Sequence, residues 1–100
     1  MLKISHPNIS EKAIEAVARV LRSGQLVHGE ECEAFELEIA NYLDCKDAIL
    51  VSSGTAALHV ALLALNLGPG DAVIVPDFTF PATANAVAMT GAEVIIVDVL

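Results

Sequence analysis

Ala48-Ile49-Leu50-Val51-Ser52-Ser53-Gly54-Thr55-Ala56-Ala57-Leu58 is the stretch on which the fold turns. Its first four residues are apolar, with β-branched Ile49 and Val51, which is the composition of a strand covered on both faces. Small residues then lead straight into a helix-length run, Gly54 to Leu67, closed by the turn Gly68-Pro69-Gly70-Asp71. The rhythm repeats downstream. Val73-Ile74-Val75 and Val94-Ile95-Ile96-Val97 read as buried strands, and Pro81 to Thr90 between them as a helix ended by Gly91, with Pro81 suited to its first position. The pattern is β-α-β-α-β, which predicts an α/β fold with parallel strands, right-handed crossovers and helices on both faces of the sheet.

Upstream the period changes from strand-like runs to that of a helix. Ile14, Val17, Ala18 and Leu21 recur at i, i+3, i+4 and i+7 behind a capping Ser10, so residues 11–22 are expected to form an amphipathic helix ended by Gly24. Phe35, Ile39, Tyr42 and Leu43 share a face of a second helix over 30–43, and acidic residues crowd its first turn. The link from Ser23 to Gly29 is a loop. Residues 1–45 therefore read as a helical opening segment and 46–100 as the start of an α/β domain. Three parallel strands ending near Asp98-Val99-Leu100 would leave an open apolar edge. The expectation is a single N-terminal fragment of a larger fold, a truncated reading frame, or a module that completes itself by association.

Composition excludes several classes of function. Hydrophobic residues make up 55% of the 100 residues and charged ones 18%, a balance suited to a packed domain. A formal charge of −8 with only five scattered Lys and Arg residues argues against a nucleic-acid or anionic-membrane surface, since either needs a basic patch. No apolar run reaches membrane-spanning length and no leader pattern precedes Ser5-His6-Pro7-Asn8, so a cytoplasmic location is expected. Cys32 and Cys45 form no CxxC pair and have no His at ligand spacing; they are expected to be free, mostly buried thiols, with no metal site.

Chemistry in an open parallel sheet is sought beyond the carboxyl ends of the strands. After the first expected strand, Ser52-Ser53-Gly54-Thr55 opens a helix, whose free amides and positive dipole end suit a phosphate; Gly54 permits close approach and Ser53 or Thr55 adds a hydroxyl. The plain alternative is that Ser53 caps the helix and Gly54 makes the turn. After the second strand, Phe78 and Phe80 stand where a ring could stack on a flat heterocycle, or where both could simply pack in the core. His6, His28 and His59 have no visible nucleophile or ligand partner, and Glu30, Glu31, Glu33, Glu36 and Glu38 read as a solvated helix face.

Taken together, Val51-Ser52-Ser53-Gly54-Thr55-Ala56-Ala57-Leu58, Gly68-Pro69-Gly70-Asp71, Pro76, Thr79-Phe80, Ala82-Thr83-Ala84-Asn85-Ala86, Gly91-Ala92 and Val97-Asp98 resemble the DegT/DnrJ/StrS family of sugar aminotransferases. Ser23-Gly24, Gly29 and Phe35-Glu36 extend the likeness over nearly the whole sequence. The resemblance implies the large domain of a fold type I enzyme dependent on pyridoxal 5′-phosphate (PLP), a homo-oligomer that moves an amino group from glutamate to a keto group of a nucleotide-linked sugar. It implies that Ser53, Gly54, Thr55 and Ala56 hold the cofactor phosphate and that Phe80 stacks on its ring. The Gly24 to Gly29 loop would approach the active site near a subunit boundary. The sequence departs from the family pattern at Ala72 and Asp77, where Glu and Ser are usual; Asp77 adds negative charge near the phosphate site.

The family's Schiff-base lysine and the carboxylate that pairs with the pyridinium have no counterpart among these residues. Lys3, Lys12 and Lys46 are the only lysines, none of them expected to reach an aldehyde, so no catalytic residue is assigned and these residues alone are expected not to turn over. Two other readings remain open: a noncatalytic, self-associating module of aminotransferase origin, and another fold type I PLP enzyme such as an amino-acid lyase or desulfurase.

Overall fold

The computed structural model describes residues 6–99. In chain order they form α1 (Glu11–Ser23), α2 (Glu30–Leu43), α3 (Gly54–Ala64), β1 (Ala72–Pro76), α4 (Ala82–Thr90) and β2 (Glu93–Val97). The chain divides into two compact units, Met1–Leu50 and Val51–Leu100.

In the first unit each helix begins and ends where the local chemistry requires. Ser10 Oγ accepts the Ala13 amide at 3.3 Å, Glu11 and Arg22 sit at the dipole ends that favour them, and Gly24 leaves α1 in the left-handed region at φ 73°. Ser23 Oγ donates to the Val20 carbonyl at 2.7 Å and accepts the Gln25 amide at 3.2 Å, stitching the exit. α2 has no side-chain cap on Gly29; Glu30, Glu31 and Glu33 supply negative charge to its first turn instead. Gly29 is buried, and a Cβ added there would lie 2.9 Å from the Gln25 side chain. Arg19 and Glu31 meet at 3.5 Å with both side chains largely in solvent, a pair that contributes at most about 1 kcal/mol.

The second unit is built on a parallel pair. β1 and β2 run in register from Ala72 opposite Glu93 to Pro76 opposite Val97, and the Asp77 amide extends the ladder by donating to the Val97 carbonyl at 2.9 Å. Asp71 sets the start of both strands. Its side chain accepts the Gly68 amide at 2.9 Å, closing the turn, and its carbonyl accepts the Glu93 amide at 2.8 Å. α4 packs on both strands and α3 packs on α4. The core is Val75, Val87 and Ala92, with Leu62, Val73, Ala84 and Val94 packed around it.

The fold class agrees with expectation: helices first, then an α/β portion with parallel strands. Helix 30–43 agrees at both ends, α1 runs one residue further, and α3 stops three residues short of Leu67 because the chain turns at Asn66, φ 57°. α4 begins at Ala82, with Pro81 in the capping position instead of the first helical one. Three differences are larger. Residues 48–51 are not a strand, because no described strand lies beside them to form a ladder. The sheet is not covered on both faces: Val73 and Val75 turn toward α4, while Ile74 on the opposite face is 68% exposed. Cys45 is exposed and Cys32 half-buried, where buried thiols were expected, since neither lies in the small core. Both are free, and no group of metal-ligating side chains occurs among the described residues. No helix among them is long and apolar enough to cross a membrane.

Candidate functional site

α3 opens at Ser53, whose extended backbone (φ −163°, ψ 161°) lets its Oγ accept the Ala56 amide at 3.1 Å. The cap accounts for the Ala56 N–H, and the Ala57 N–H goes to the Ser53 carbonyl at 3.0 Å. The amides of Gly54 and Thr55 have no acceptor among the described residues. They are the orphan donors every helix start leaves, together carrying the positive end of its dipole. Capping and ligand binding are compatible at Ser53, because a hydroxyl that accepts through a lone pair keeps its proton to donate.

Gly54 is not explained by the chain's own geometry. Its φ lies outside the left-handed region and a Cβ added to it would meet nothing within 4 Å. Gly54 borders a depression of about 460 Å³ lined also by Thr55, Leu58, Phe80, Ala82 and Thr83, within the range of small-ligand sites. Ala82 and Thr83 are the first residues of α4, so the beginnings of two helices border one depression. No charged side chain lines it.

Of the residues singled out from sequence, the structure brings Gly54, Thr55 and Phe80 to this depression; Ser53 and Ala56 are engaged in the cap beside it. Neither aromatic is in the core. Phe80 is 76% exposed with its ring at the depression, whereas Phe78, at 88%, stands outside the lining. Asp77 is exposed and its amide belongs to the strand ladder. Sequence reasoning missed Leu58, Ala82 and Thr83. Leu58 follows Gly54 by one helical turn, which was an available signal, whereas Thr83 is bound to Thr79 through their hydroxyls at 3.0 Å across the turn before α4, which no local period marks. Lys12 and Lys46 are exposed in the first unit and Lys3 lies outside the described residues. His59 is half-buried one turn beyond Thr55, and its Nε2 has no partner among the described residues.

The donor set, a neutral depression with free helix-start amides, a hydroxyl and an open aromatic face, fits a phosphate joined to a flat ring. A second cavity of about 230 Å³ in the first unit is lined by Arg19, Glu30 and Glu31 among others, and its opposed charges leave no anion preference.

The chain is similar to solved aminotransferases. The chain is 34% identical over 99% of its length to Spr1654 of Streptococcus pneumoniae in its PMP form (TM-score 0.92), covering 25% of that chain. It is 44% identical over 94% of its length to an aminotransferase from Psychrobacter cryohalolentis (TM-score 0.86), covering 24% of that chain. It is 40% identical over 92% of its length to NtdA of Bacillus subtilis with bound cofactor PMP (TM-score 0.82), covering 22% of that chain. The chain thus spans about a quarter of the length of the proteins it matches, and its fold is that of the corresponding part of fold type I PLP-dependent aminotransferases. With its strand, turn and helix-start motifs in one order and the family pattern matching residues 7–100, the chain belongs to the DegT/DnrJ/EryC1/StrS aminotransferase family.

Proposed function

We propose that this chain is the N-terminal, phosphate-holding part of a PLP-dependent aminotransferase that acts on a nucleotide-linked keto sugar with glutamate as amino donor. The observation that carries the reading is Gly54: a glycine whose absent side chain leaves room for nothing in the chain itself, at a helix start with two free amides and facing Phe80. When bound, the cofactor supplies the electron sink for amino transfer. The work of this chain is binding and orientation. The Gly54 and Thr55 amides and the hydroxyls of Ser53 and Thr55 would hold the phosphate, Ala56 would hold Ser53 in place through the cap, and Phe80 would lie against the ring. The net charge of −8 does not oppose this strongly, since charges farther than about 8 Å are largely screened at physiological salt and no carboxylate lines the site.

Lysine chemistry falls outside these residues on this reading, so the one hundred residues alone bind without turning over. The reading includes a cytoplasmic location and a homo-oligomer. Exposed Ile74 and Ile95 on the uncovered sheet face support association, and they equally favour the second reading, a noncatalytic self-associating module.

The test is titration of the ¹⁵N-labelled chain with pyridoxamine 5′-phosphate, which needs no lysine. The Gly54 and Thr55 amide resonances should shift together. Thr55→Val should weaken binding about tenfold, the cost of one hydrogen bond to a charged group at roughly 1.5 kcal/mol. Equal affinity in the variant removes the Thr55 hydroxyl from the site and leaves its amide to the resonance shifts.

A further inference from the structure

Between β1 and α4 the chain crosses residues 77–81, which belong to no helix or strand and carry Phe80 to the depression. The Asp77 amide donates to the Val97 carbonyl at 2.9 Å where this segment leaves the sheet, and the Phe80 carbonyl accepts the Thr83 amide at 3.0 Å where it enters α4. Between these two backbone bonds the hydroxyls of Thr79 and Thr83 meet at 3.0 Å. The amides of Phe78, Thr79 and Phe80 have no acceptor among the described residues, so the hydroxyl pair is the bond that reaches the residue just before Phe80. Its two ends are unlike. Thr79 is exposed and outside the lining, whereas Thr83 is half-buried, lines the depression and stands in the first turn of a helix anchored by buried Ala82, Ala86 and Val87.

We infer that the hydroxyl pair of Thr79 and Thr83 positions Phe80 against the ring of the ligand. Because peptide groups are planar, the direction in which a side chain leaves the backbone is set by the peptides on both sides of its Cα. The peptide after Phe80 is fixed by Pro81, at φ −54°, and by the Thr83 amide. The residue before it is tied to α4 through Thr79, whose β-branched side chain is stiff at χ1. Phe80 is exposed and has little packing of its own, so this restraint matters: a ring held in place before binding loses less freedom when it stacks. All of these residues lie in the second unit. The inference deepens the proposed stacking role of Phe80 and rests on that reading.

Four variants of the full chain, each checked for folding by circular dichroism, are titrated with pyridoxamine 5′-phosphate and with inorganic phosphate, which has no ring. Thr79→Val keeps the β-branch and removes one hydroxyl; Thr79→Ser keeps the hydroxyl; Thr79→Val combined with Thr83→Val removes both; Phe80→Leu removes the ring. Thr79→Val should weaken pyridoxamine 5′-phosphate binding about fivefold, the worth of one hydrogen bond, and leave phosphate affinity unchanged, while Thr79→Ser stays within about twofold of wild type. The double variant should bind as the single Thr79→Val variant does, because the Thr83 hydroxyl acts through its partner. Relaxation of ¹⁵N should show the Phe80 amide more mobile in Thr79→Val than in wild type.

A general loss of stability weakens both ligands together, so equal weakening of the two overturns the inference. The same holds for a folded Thr79→Val chain that matches wild type in pyridoxamine 5′-phosphate affinity or in Phe80 mobility, and for a serine variant as weak as the valine one. A double variant weaker than Thr79→Val also overturns it, since Thr83 then acts on the ligand independently of Thr79. If wild type responds to neither ligand, or Phe80→Leu binds pyridoxamine 5′-phosphate as tightly as wild type, the stacking reading itself fails. Mobility of the Phe80 amide then decides the restraint alone, an increase in Thr79→Val supporting it and an unchanged value overturning it.

Discussion

Gly91 and Gly54 are glycines for opposite reasons. Gly91 takes φ 84° to bring the chain out of α4, and a Cβ on it would stand 3.1 Å from Cγ of Pro69. Both the left-handed backbone and the crowding forbid a side chain there. Gly91→Ala should lower stability by roughly 1–2 kcal/mol, measured by urea unfolding of the chain. No ligand effect is expected. At Gly54 the backbone is ordinary and the neighbourhood empty, so nothing among the described residues calls for glycine there, and the proposed phosphate would give a reason for it. Sequence placed Gly91 at a helix end and Gly54 at a helix start but left open whether Gly54 makes a turn or admits a ligand, because backbone angle and the space around a missing Cβ are properties of the folded chain. The same limit applied to Phe78 and Phe80. Their ring chemistry was plain in the sequence, yet only Phe80 borders the depression.

The elements were the most legible level. Capping serines, left-handed glycines and the change of period from 3.6 to short β-branched runs act over a few residues, so they survive translation from sequence to structure. The segment 48–51 is the instructive exception. Its composition is that of a strand, but strands exist through partners, and the bond its backbone makes here goes to Glu36. The faces of β1 and β2 make a similar point. Register pairs Ile74 with Ile95 on the side away from α4, and the two are 68% and 40% exposed. An apolar sheet face in water favours association, so the chain at tens of micromolar should sediment as more than a monomer, and Ile74→Glu should return it toward monomer. Wild-type chain that sediments as a monomer at that concentration removes self-association from the proposal.

For the molecule as a whole, the proposed division of labour is that these residues hold phosphate and ring while the amine chemistry lies elsewhere. Mixed with PLP and reduced with borohydride, the chain should show no single stoichiometric lysine adduct by intact mass and no amino transfer from glutamate. A unique adduct accompanied by transfer would mean that Lys3, Lys12 or Lys46 serves as the anchor and would overturn the division. What sequence determined by itself was everything short-ranged or additive: the positions of the helices and the two paired strands, the charge of −8, and, through ordered motifs, the family. What only the tertiary structure decided was everything that depends on segments far apart in the chain. Two helix starts border one depression, a glycine stands before open space, and a glutamate on α2 holds the amide of Leu50. The reason is physical: capping and periodicity are written in neighbouring residues, whereas a cavity and a long-range hydrogen bond exist only once the chain has brought distant residues within a few ångströms.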